Sequence, residues 1–166
     1  MTQANAAGAD TPAQGKKLRW PQLALLAAAA FEFLILFGDI SQVPGPGIGG
    51  AIIVAKIALM PIVALAALFF TVRGRILYAI LAMIAVMLLT WVNFLPSVAI
   101  NGLEIEGVAG AVTIYEVFVV PLIALAAIAL AMRGRRTPAI LLAVLPTFVN
   151  VAAGIAFAIG IMIYGF

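Results

Sequence analysis

The chain of 166 residues contains no cysteine and no histidine. Without cysteine there is no disulfide, no thiolate nucleophile and no thiolate metal site. Without histidine the chain lacks the commonest metal ligand and the commonest general base at neutral pH. Haem ligation by histidine, zinc hydrolysis through histidine ligands and Ser-His-Asp catalysis are thereby excluded. Charge is scarce as well. Asp, Glu, Lys and Arg make up 9% of the residues, against about 25% in an ordinary soluble domain. The carboxylates are Asp10, Glu32, Asp39, Glu104, Glu106 and Glu116. No nucleophile–base pair is visible, so the chain reads as non-enzymatic, with no cofactor and no metal site.

What is abundant is apolar. Hydrophobic residues account for 66% of the chain, and the mean hydropathy is +1.27. A chain this small keeps a large fraction of its atoms at the surface, so a soluble fold cannot hide that much apolar area. The solvent for most of it is therefore lipid. The expected fold is all-α: a polytopic membrane helix bundle, since a spanning segment must satisfy its own backbone hydrogen bonds. The runs lack the alternation of a membrane barrel strand.

Residues 1–19 are small and polar and read as a disordered cytoplasmic tail ending in Lys16, Lys17 and Arg19. Residues 20–166 read as one transmembrane domain. Five apolar stretches follow the tail: Trp20–Phe37, Ala51–Val72, Ile76–Leu95, Ala111–Met132 and Pro138–Ile163. Each is near the ~20 residues needed to cross a ~30 Å hydrocarbon core. Lys16–Phe37 has the outline of a secretory signal, but its apolar run is long and Gly38-Asp39-Ile40-Ser41 is no A-x-A cleavage site. It is read as a retained first helix; cleavage would leave four helices.

Eight of the nine basic residues fall in three places: Lys16, Lys17 and Arg19 in the tail, Arg73 and Arg75, and Arg133, Arg135 and Arg136. With five crossings all three lie on one side, while loops 38–50 and 96–110 contain no Lys or Arg. The positive-inside rule makes the basic side cytoplasmic, in a plasma (inner) membrane, and puts the C-terminus outside. Trp20 and Tyr78 then sit near the inner boundary, and Trp91, Tyr115 and Tyr164 towards the outer one, as amphipathic rings prefer. The net charge of +3 is thus a topology signal, with anionic headgroups as neighbours, and no nucleic-acid partner is expected.

The chain also repeats at a spacing of 60 residues. Pro61 through Arg75 and Pro121 through Arg135 share eight of fifteen positions without a gap, including the proline and the Arg-Gly-Arg. Ala79-Ile80-Leu81 matches Ala139-Ile140-Leu141, Gly47 matches Gly107, and Gly50 matches Gly110. Each unit reads as a helical hairpin. Both start outside, so they are parallel-related about an axis along the membrane normal, with the N-terminal helix as an extra. Pro61 and Pro121 remove one backbone donor each, which leaves the carbonyls of Ile57 and Val117 in need of another partner.

Charged residues inside a span are costly and are functional-site candidates by default. Here they are Glu32, Lys56 and Glu116. Lys56 and Glu116 each lie seventeen residues before an arginine, about 25 Å from the basic side. They are also equivalent in the repeat, so an axis between the hairpins could bring them face to face. Thr90 and Asn150 are equivalent too, and Asn93 lies one turn above Thr90 on the same face. Glu32, Lys56, Thr90, Asn93, Glu116 and Asn150 thus fall in one layer in the outer half. Two readings stand beside each other. The layer binds or transports a small solute or ion; or these residues snorkel to headgroups and bond across helices as structural glue.

The loop Gln42–Gly50 alternates stiff proline with permissive glycine, and is no phosphate-cradling P-loop. With Glu104 and Glu106 in the second loop, the outer face is acidic and reads as solvated connectors. The fifth helix is uncharged and carries Pro146, Gly154 and Gly160; it reads as bundle packing, or as a surface for a homo-oligomer or a larger membrane complex. Function therefore divides between a binding or transport protein and an accessory subunit packed against a larger membrane complex.

Overall fold

A computed structural model describes residues 19–39, 46–103 and 106–165. The tail before Arg19, most of the first outer loop and Glu104 lie outside the described residues, and so does the side chain of Asn93. Every described element is helical: α1 (Trp20–Asp39), α2 (Ile48–Val72), α3 (Ile76–Asn101), α4 (Gly107–Ile114), a π-helical turn (Tyr115–Val119), α5 (Val120–Met132) and α6 (Arg136–Tyr164). The stretch α4–π–α5 is uninterrupted, so the chain forms five rods.

Four of these are long and apolar enough to cross a membrane: Ile48–Val72, Ile76–Pro96, Gly110–Met132 and Arg136–Tyr164. The apolar part of α1, Trp20–Ile35, is shorter. The helix itself runs on to Asp39, 20 residues in all, about 30 Å at 1.5 Å per residue. Five rods are thus present, four of which meet the length and composition of a span among the described residues.

The rods are packed inside out relative to a soluble protein. Ala28, Ala29, Ala64, Ala67, Ala79, Ala127 and Ala139 are completely buried, while Ile62, Leu122 and Leu125 are each more than 60% exposed. Small residues let backbones approach closely, and large apolar side chains cover the outside; that distribution suits lipid. Burial also recurs sixty positions on. Met60, Ala64, Ala67, Thr71, Ala79, Ile80, Met83 and Ile84 are buried, and so are Val120, Ala124, Ala127, Ala131, Ala139, Ile140, Ala143 and Val144.

The two Arg-Gly-Arg turns have one geometry. Gly74 N–H donates to the Thr71 carbonyl at 3.0 Å and Arg75 N–H to Phe70 at 2.9 Å; Gly134 N–H donates to Ala131 at 3.0 Å and Arg135 N–H to Leu130 at 2.9 Å. This is the Schellman pattern, which places its glycine in the left-handed region. Gly74 has φ 71° and Gly134 φ 75°.

α2 packs against α1 and α3; α5 packs against α3 and α6; α3 also packs against α1, α6 and the π turn. α1 bridges α2 and α6. A twofold pair of hairpins would match the α3–α5 contact with one between α6 and α2. Among the described residues α2 touches neither α5 nor α6, and α1 packs against both α2 and α6 instead. The N-terminal rod is thus part of the bundle's interior arrangement.

Candidate functional site

The site begins with a missing donor. Pro121 has no N–H, so the Val117 carbonyl four residues earlier loses its α-helical partner. The backbone responds by widening to a π turn, in which Val120 N–H donates to the Tyr115 carbonyl. The Val117 carbonyl is satisfied from the neighbouring rod: Trp91 Nε1 donates to it at 3.3 Å. Pro61, the sequence equivalent of Pro121, lies inside a helix that remains α-helical from Ile48 to Val72. The two positions therefore differ in backbone geometry even though the sequence around them repeats.

The π turn carries Glu116. There it lines a partly open cavity of ≈ 20 Å³ together with Glu32 from α1, Met87 and Thr90 from α3, Val120 from α5, and Ala143, Pro146, Thr147 and Asn150 from α6. Thr147 is 4% exposed, and its hydroxyl donates to Glu32 Oε1 at 2.6 Å. Such a short bond to a carboxyl group fixes α1 to α6 in this layer. Thr90 turns its hydroxyl proton back onto its own helix, donating to the Val86 carbonyl at 3.2 Å; its oxygen remains an acceptor.

Of the six residues proposed from sequence, Glu32, Thr90, Glu116 and Asn150 line this cavity. Asn93 is on α3 one turn beyond Thr90, with its side chain outside the described residues. Lys56 does not line the cavity. Among the described residues α2, which carries Lys56, packs against α1 and α3 and not against α4, the π turn or α5. Sequence reasoning missed Thr147. Its signal was present, a hydroxyl three residues before Asn150, on the same face of an otherwise apolar helix.

The volume restricts what the cavity accepts. About 10–15 Å³ accommodates one water, so ≈ 20 Å³ suits a water molecule or a dehydrated ion. The polar wall offers carboxyl, hydroxyl and amide groups, a donor set dominated by hard oxygen. Among the described residues no three acidic side chains gather as a metal-holding group. One residue before Glu116, the Tyr115 hydroxyl is buried without a hydrogen-bond partner among the described residues.

Comparison with known protein families, curated proteins and solved structures returns no match for this chain.

Proposed function

We propose that this chain is a small integral membrane protein that binds, or passes towards the outer side, a small ion at the Glu32–Glu116 cavity. The observation that carries the reading is the convergence of two carboxyl side chains, Thr90, Thr147 and Asn150 on one cavity of ≈ 20 Å³. Intramembrane carboxylates facing a cavity mark ion pathways. The chain acts without catalysing a reaction. Its N-terminus and Arg-Gly-Arg turns face the cytoplasm across an inner membrane, and its C-terminus faces out. The recurrence of burial and of the Schellman turns at a spacing of sixty supports descent from a duplicated hairpin, with α1 as the added element that supplies Glu32.

The test uses Trp91, whose indole is bonded to the π turn, as a fluorescent reporter. The protein in detergent is titrated with sodium, potassium and lithium chloride at constant ionic strength. One cation gives a saturable change in wild type, and Glu116→Gln abolishes it with the fold intact by circular dichroism. Identical traces for wild type and E116Q reject the reading.

A second reading has its own observation. Residues 152–159 of α6 are exposed on every face, which suits an accessory subunit whose last helix packs against another membrane protein. Purification in mild detergent then recovers a stoichiometric partner; a homogeneous lone protomer counts against it.

A further inference from the structure

The opposite end of the bundle holds a larger cavity with different chemistry. Arg19, Pro21 and Gln22 from the start of α1, Ile76 from the start of α3, and Arg136, Thr137 and Ile140 from the start of α6 line a space of ≈ 210 Å³. Ile76 follows Arg75 and Arg136 follows Arg135, so both Arg-Gly-Arg turns are at this end. No carboxylate lines the space. Gln22 Oε1 accepts the Arg19 N–H at 3.0 Å, half of a capping box that leaves the Gln22 amide protons as donors. The starts of α3 and α6 carry no side-chain cap, so their positive helix ends point towards the same region.

We propose that this cavity binds the phosphate of an anionic phospholipid from the surrounding leaflet. The recognition chemistry is a phosphate oxyanion held between two guanidinium groups, with Gln22 and Thr137 as neutral donors; arginine's fork suits phosphate geometrically. The setting at the membrane boundary favours a lipid over a free anion. Ile76 and Ile140 are buried apolar residues, and Pro21 is buried beside them. Trp20, 62% exposed, stands at the same end, where an indole marks the boundary between hydrocarbon and headgroups. A headgroup at this boundary meets the arginines with its phosphate while its chains lie along the exposed apolar outside of the rods. This site uses none of the residues of the Glu116 cavity, and its test is independent of that one.

The full chain is purified in detergent and mixed with phosphatidylglycerol, with phosphatidylcholine of the same chain length, or with inorganic phosphate. Melting temperature and retained lipid by native mass spectrometry are read together. Phosphatidylglycerol raises the melting temperature saturably and stays bound; the other two do neither. Arg19→Gln and Arg136→Gln each weaken phosphatidylglycerol binding about fivefold, and the double variant about twenty-five-fold, at the strength typical of one basic residue near an anionic surface. Arg133→Gln, on the same turn but outside the cavity, leaves it unchanged. Equal effects of both lipids, a phosphate effect without lipid, or equal loss in R133Q overturns the proposal. If the double variant does not purify, R136Q against R133Q decides in the same way.

Discussion

Thr147→Val removes one hydrogen bond and almost no volume, and it tests a side-chain bond between two different rods. The Thr147 hydroxyl donates to Glu32 at 2.6 Å, from a residue that is 4% exposed. Hydrogen bonds to charged groups contribute about 1.5–3 kcal/mol in soluble proteins. Side-chain bonds between membrane helices average about 0.6 kcal/mol with a maximum near 1.7, because the unfolded chain in lipid also finds partners. The short distance and the buried Thr147 hydroxyl argue for the top of that second range, about 1.5 kcal/mol. A domain of this size loses about 2–4 °C of melting temperature per kcal/mol, so T147V should melt about 3–6 °C below wild type. Thr147→Ser keeps the hydroxyl and should recover most of the difference. In a double-mutant cycle with Glu32→Gln, the pair should couple by about 1 kcal/mol or more. Thermal unfolding followed by circular dichroism in one detergent reads all four proteins. If T147V and T147S melt together within a degree of wild type, the bond does not hold α1 to α6.

Further expectations concern the turns and the π segment. Gly74→Ala and Gly134→Ala each force a side chain into the left-handed region, where the new Cβ meets nothing within 4 Å. The cost is therefore conformational, about 1–2 kcal/mol, and similar at both sites by thermal unfolding; a tenfold difference in unfolding constants contradicts the shared geometry. Trp91→Phe leaves the Val117 carbonyl without its indole donor and should cost about 1 kcal/mol, while tryptophan-independent circular dichroism shows helix content unchanged. Tyr115→Phe removes a buried hydroxyl that has no partner among the described residues, so it should be neutral or stabilising; a loss above about 1 kcal/mol reveals a bond to that hydroxyl.

Much of the fold was legible in the sequence because lipid leaves few options. An apolar run long enough to span must be helical, and Arg-Gly-Arg between two runs must turn; the Schellman bonds at Gly74 and Gly134 follow from that composition. The vulnerability of the Val117 carbonyl was legible from Pro121 alone. What answered it was not, since Trp91 reaches it from another rod, twenty-six residues away. The π turn was invisible for a related reason: Pro61 sits in nearly the same local sequence and stays α-helical, so neighbours in space decide the outcome. Likewise the repeat implied that Lys56 and Glu116 face one another. Helix order in lipid depends on which small-residue faces interlock, and α1 packs against both α2 and α6. Glu32, Thr90, Glu116 and Asn150 share one cavity, and packing admitted Thr147 to its wall and left Lys56 out of it.

Hydrocarbon around the rods, with both arginine turns on one side, dictates which compartment each connection faces. The absence of native cysteine makes the decisive measurement simple. Arg73→Cys, Arg133→Cys and Leu103→Cys are introduced singly into exposed positions and labelled in intact cells with an impermeant maleimide. Position 103 should react from outside, and positions 73 and 133 only after the membrane is opened. Labelling of positions 73 and 103 from the same compartment contradicts the arrangement.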